Sequence, residues 1–181
     1  AYIRHGMQWP NYWNNVEKIL REIPEMKLTF MCTYNALSVT SFTEFLRNSY
    51  ELKLKYSNKH RAAGVLVDMP YLRYPEHQKF TILPKEFKSY IIESKKFIEN
   101  HLYKEGVQPY QGYHNFELNK LERLISYWEA EPDKDRLNLL RKDFYSFFSE
   151  HDRRRGTSFT ETFPEMNNFY LMCKQYRKDL E

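Results

Sequence analysis

Three polar residues stand where an α/β fold would place its chemistry. Asn35 follows an apolar, strand-like run (KLTFMCTY, 27–34), and Asp68 lies near the end of a second one (RAAGVLVDMP, 61–70). Parallel α/β sheets bind ligands outside the carboxyl ends of their strands, so both residues fall on that rim. Arg4 holds the equivalent place if a strand ends just before residue 1. A guanidinium, an amide and a carboxylate on one rim suit a zwitterionic ligand that carries a carboxylate and hydroxyls. Each residue also has an ordinary use: Asn35 as a turn cap, Asp68 as partner of a nearby lysine or arginine, Arg4 as a solvated loop residue.

Other chemistries leave no pattern. His5, His60, His77, His101, His114 and His151 share no metal-ligand spacing with each other or with a cysteine. Cys32 and Cys173 lie far apart in apolar surroundings and read as buried, reduced thiols, so no metal site is expected from this chain. His151-Asp152 is a dipeptide seen in metal-dependent phosphohydrolases, but the other ligands have no counterpart. The sequence has no glycine-rich phosphate loop and no nucleophile elbow. Arg153-Arg154-Arg155 reads as a solvated helix end that favours the helix dipole, or as a turn that docks a helical appendage or meets an acidic partner. Tyr71, Tyr74, Tyr110 and Tyr113 fall in irregular stretches, where they either floor a groove or pack.

The elements that must position these residues follow from periodicity. Trp9, Trp13, Val16, Ile19, Leu20 and Ile23 recur at three- and four-residue spacing, which predicts a helix from about 10 to 23 with all six on its inner face. Residues 27–34 predict a strand covered on both faces, and Arg61–Pro70 a second of the same kind. Between them, Phe42–Leu54 predicts a helix, with Ser41 and Glu44 at capping-box spacing. Successive strands joined by a helix make a right-handed βαβ unit. Residues 71–84, with Pro75 and Pro84, predict a long irregular loop. Helices are predicted at about 85–103, 115–130, 134–150 and 164–179. The fold expected is therefore α/β, with the strands in 1–84 and a helical extension in 85–181.

Composition narrows the class. With 41% hydrophobic and 29% charged residues the chain is globular rather than disordered. A net charge of +4, with basic and acidic residues interleaved, is no nucleic-acid footprint. No apolar stretch approaches the roughly 20 residues of a membrane span, and no leader precedes the first helix, so a cytoplasmic setting is expected. The chain opens inside a polar Arg-His-Gly turn, which reads as the C-terminal part of a larger protein.

The order and wording of these segments resemble the second half of a radical S-adenosylmethionine (SAM) enzyme. The resemblance is carried by Tyr2-Ile3-Arg4-His5-Gly6, the Trp9 helix with Asn15-Val16, the 27–35 run followed by Leu37-Ser38-Val39, and Gly64 to Pro70. Asp152 to Gly156, with Phe159 and Thr162-Phe163-Pro164-Glu165, resembles a segment of the short C-terminal "twitch" extension found in one subgroup. The resemblance implies the C-terminal part of a partial (β/α) barrel followed by the mainly helical extension. It also implies a parent enzyme that holds a [4Fe-4S] cluster and SAM, with Arg4 on the cofactor's carboxylate. Asn35 would then face the ribose or methionine part, and backbone from Asp68 to Pro70 would flank the adenine. The family's CxxxCxxC loop and Gly-Gly-Glu run are not in this sequence and would lie in a missing N-terminal part of the same protein, which makes the chain incompetent alone. The substrate is unspecified. The alternative is a non-catalytic, α-rich interaction module that binds a protein or an acidic partner.

Overall fold

The computed structural model describes residues 2–57, 64–104, 106, 111–129 and 133–178. Pro10 sits in the first turn of helix α1 (Trp9–Glu22), where its missing N–H matters least. Only Val16 and Leu20 of that helix are buried, while Trp9, Ile19 and Ile23 are 45%, 40% and 45% exposed. The apolar face predicted for α1 is thus wider than the face that finds a partner. Strand β1 (Leu28–Met31) and strand β2 (Val65–Asp68) pair in parallel, Leu28 opposite Val65 through Met31 opposite Asp68. Helix α2 (Phe42–Tyr56) makes the crossover between them. Ser41 precedes α2 but makes no side-chain cap bond, so the predicted capping box does not form. The start of the second predicted strand, 61–63, lies outside the described residues.

These two four-residue strands are the whole sheet among the described residues, of which 67% are helical. The expectation of a partial (β/α) barrel is therefore overturned: this is a mainly helical protein with a short parallel pair. Two local facts explain the difference. β1 is covered on one face only, with Phe30 buried while Thr29 and Met31 face outward, Met31 at 73% exposure. The outer edge of β2 is closed by a side chain, since the Val67 N–H donates to Glu117 Oε1 at 2.8 Å where a further strand would have to pair.

Glu117 reaches that edge from helix α4 (Asn115–Glu129). Its Oε2 also accepts the His114 N–H at 2.8 Å, satisfying an otherwise free donor at the helix start. Lys53 of α2 comes within 3.1 Å of both carboxylate oxygens and donates to the Val65 carbonyl at 2.6 Å. Both side chains are buried, at 1% and 0% exposure, and the ammonium lies 4.7 Å from the centre of the Tyr113 ring. Burial pushes the lysine pKa down and Glu117 opposes that shift. Tyr113 continues the network by donating to the Leu46 carbonyl at 2.6 Å, with Ser49 Oγ at 2.7 Å. Just before it, Gly112 holds φ +111°, and a Cβ there would lie 2.8 Å from the His101 carbonyl oxygen, so the backbone crossing admits only glycine.

The predicted loop over 71–84 is part of the core. It coils through short 3₁₀ turns at Glu76–Gln78 and Phe80–Ile82, and Phe80, Ile82 and Leu83 are buried. Helix α3 (Lys88–Asn100) packs against α2 and α4, with a buried Thr43–Ser94 hydroxyl pair at 2.8 Å. Helix α5 (Lys134–Arg155) begins on the Asp133 side-chain cap and stops at Gly156, which takes the left-handed conformation at φ +61°. It runs five residues beyond its predicted end, so the three arginines belong to its last turns. The short helix α6 (Phe159–Thr162), absent from the sequence reading, leads into α7 (Asn167–Lys178), which lies along α5. Phe144, Phe148, Phe159 and Phe169 fill the space between these helices.

Removing one member of a buried ion pair strands the other, at a cost of about 3–5 kcal/mol. Lys53→Met is expected to lower stability by about 3 kcal/mol in urea unfolding. Lys53→Met/Glu117→Gln should lose less than the sum of the two single variants, because the amide can still accept from a backbone N–H while no charge is left unpaired.

Candidate binding site at the strand carboxyl ends

The ladder between the two strands continues past their ends and holds the exits together. Cys32 N–H donates to the Asp68 carbonyl at 2.8 Å, Tyr34 N–H to Pro70 at 2.6 Å, and Leu72 N–H to Tyr34 at 2.9 Å. Asn35 and Asp68 therefore leave the sheet at the same end. The Asn35 amide serves its own turn: Oδ1 accepts the Leu37 N–H at 2.9 Å and Nδ2 donates to the Thr33 carbonyl at 2.9 Å. One amide hydrogen and one lone pair are left for a ligand. Asp68 forms an ion pair with Lys120 of α4.

Arg4 is exposed, in a turn closed by Met7 N–H to the Arg4 carbonyl at 3.2 Å. The Tyr12 hydroxyl is raised above its ordinary pKa by burial and by the Cys32 thiol, while the Arg4 charge pulls it the other way. Among the described residues no hydrogen bond or ion pair links Arg4, Asn35 and Asp68 to one another.

Beyond Asp68 an open pocket of about 580 Å³ lies between the β2 exit and α4. Met69, Pro70, Tyr71 and Leu124 give it apolar walls, and Arg73, Lys120 and Arg123 line it with positive charge. Tyr71 stacks on Tyr127 with ring centres 4.5 Å apart, and the Arg73 guanidinium lies 5.7 Å from the Tyr71 ring centre. Tyr71 is thus a groove residue, whereas Tyr74 is 82% exposed, Tyr113 is fully buried, and Tyr110 lies outside the described residues. The basic residues of α4 escaped the sequence reading. Lys120, Arg123, Leu124 and Tyr127 recur at three- and four-residue spacing, a mixed stripe beside the apolar one of Leu121, Leu124 and Trp128.

The remaining candidates are structural. Asp152 accepts the Tyr2 hydroxyl at 2.7 Å, the Thr157 hydroxyl at 2.8 Å and the Phe159 N–H at 2.7 Å, so it ties the chain start to the α5–α6 turn. His151 packs on the Tyr2 ring at 4.5 Å and lies 3.8 Å from Asp152. Arg153 and Arg154 share the Glu150 carboxylate at 2.7 Å and 2.6 Å, which holds its pKa at about 2. All three arginines of that cluster are exposed. His60 lies outside the described residues. Among the described residues no three His, Cys, Asp or Glu side chains form a metal site. Burial lifts both thiols, Cys32 and Cys173, to about 12, so each is protonated at neutral pH. No described helix is long and apolar enough to cross a membrane. No protein-family model, curated protein or solved structure matches the chain.

Tyr34, at the β1 exit, is fully buried, and its hydroxyl has no hydrogen-bond partner among the described residues. Burial raises its pKa above the ordinary value of 10. A group raised in the folded state contributes stability that is complete below its unfolded pKa and falls as pH rises beyond it. Tyr34→Phe should therefore match or exceed the parent by up to about 1 kcal/mol at pH 7. Above pH 10 it should lose less stability than the parent, read from urea midpoints on either side of that pH.

Proposed function

We propose that the chain is a segment of a radical SAM enzyme, supplying strand-end surface for cofactor and substrate and ending in a twitch-type extension. The observation that supports this reading is the paired, parallel exit of β1 and β2, which carries Asn35 and Asp68 to one end in the motif order of the resemblance. The iron–sulfur cluster does not fit the residues described. Cys32 follows β1 and Cys173 lies in α7, and both thiols are held protonated. In this reading the cluster ligands belong to a CxxxCxxC loop elsewhere in the parent.

SAM suits the rim better. Its methionine carboxylate matches the exposed Arg4 guanidinium, which can donate two parallel hydrogen bonds. Asn35 retains one donor for a ribose or methionine oxygen, and Asp68 is steadied by Lys120 rather than left free to reorient. When bound, the cofactor supplies hydrogen-atom abstraction; the residues of this chain bind and orient. A second reading, a non-catalytic interaction module, draws on the apolar surface of Trp9, Ile19, Ile23 and Met31, all between 40% and 73% exposed.

The test begins with the gene upstream of the Ala1 codon, where an in-frame CxxxCxxC is expected. In the protein encoded by the whole reading frame, Arg4→Ala should weaken SAM binding about tenfold by calorimetry. A reading frame that starts at residue 1, or SAM affinity untouched by Arg4→Ala, would sink the proposal and leave the interaction module.

A further inference from the structure

We propose that the pocket between the β2 exit and α4 binds an organic phosphate, its phosphate held by Arg73 and Arg123 and its apolar body laid against Pro70 and Tyr71. The charge pattern of α4 carries the argument. Every described acidic residue on that helix is committed to a lysine elsewhere: Glu117 to Lys53, Glu122 to Lys95 at 3.2 Å, and Glu129 to Lys88 at 2.7 Å. Among the described residues the only carboxylate lining the pocket is Asp68, and it is held by Lys120. Three cations therefore face one anion there, and no carboxylate among the described residues lies within ion-pair reach of Arg73 or Arg123.

A phosphate monoester carries roughly two negative charges at neutral pH and meets that excess, where a carboxylate would meet half of it. Guanidinium groups match phosphate oxygens bidentately. The volume of about 580 Å³ falls in the range that encloses a small organic molecule. Pro70 is exposed and Tyr71 and Tyr127 are half-buried, so they present apolar surface to the pocket that an inorganic anion would leave unused, with Met69 and Leu124 buried behind them. The inference rests on the reading above only in making this ligand the substrate of the parent enzyme.

The test is titration of the 181-residue chain with 1-naphthyl phosphate, followed by calorimetry and by the methyl NMR signals of Met69 and Leu124. Inorganic phosphate, 1-naphthol and 1-naphthoate serve as comparison probes. 1-Naphthyl phosphate should bind at least about tenfold more tightly than any of the three and shift both methyl signals. Arg73→Gln/Arg123→Gln should weaken it about tenfold or more, and Arg73→Lys/Arg123→Lys should restore part of the loss, with unchanged circular dichroism in both. Equal affinity for 1-naphthol or 1-naphthoate, unmoved methyl signals, or indifference to the glutamine pair would overturn the assignment. SAM appears in none of these arms. Failure here leaves the Arg4 result standing, and failure of the radical SAM reading leaves the phosphate pocket standing.

Discussion

The Lys53–Glu117 pair is the interaction on which the arrangement of the sheet and its covering helices depends. One carboxylate binds the ammonium of α2, the free edge of β2 at Val67 and the first turn of α4 at His114. An isolated charge in such a place would be expelled or neutralised; here three donors make four contacts with the two oxygens, and the cation has a backbone carbonyl and an aromatic face besides. Because the carboxylate occupies the N–H that a neighbouring strand would need, it also limits the sheet on that side. A helix terminus stands where a third strand would otherwise extend the ladder.

The same clamp sets the geometry of the pocket. With Glu117 fixed on β2, the next turn of α4 brings Lys120 onto Asp68, and the turn after that presents Arg123 and Leu124 beside the exit of the strand. The stacked Tyr71 and Tyr127 rings close the far side. Pocket wall and folding core are therefore built from consecutive turns of one helix, the first dry and paired, the later ones open to solvent.

At the other end of the molecule Asp152 plays a comparable part with milder chemistry. It gathers the Tyr2 hydroxyl, the Thr157 hydroxyl and the start of α6, so the first and last parts of the chain meet at one carboxylate. The arginines that follow it are spent on Glu150 or turned to solvent, a helix end complementing its own dipole.

Local signals determined a good deal by themselves. The 3.6-residue periodicity located six of the helices, Pro10 set the start of α1, and the apolar runs at 28–31 and 65–68 marked both strands with Asn35 and Asp68 after them. Those features depend on neighbours a few residues apart, which a sequence displays directly. What the tertiary structure alone decided depends on partners in other elements, far along the chain. It chose which part of the α1 apolar stripe would be covered and left Met31 facing outward. It also drew Phe80 and Ile82 out of a proline-rich stretch into the core. A lysine at 53 and a glutamate at 117 look like solvated helix charges until their helices are placed on either side of β2. The barrel expectation failed for the same reason: an apolar run announces a strand, but only its neighbours in space decide how many strands may join it.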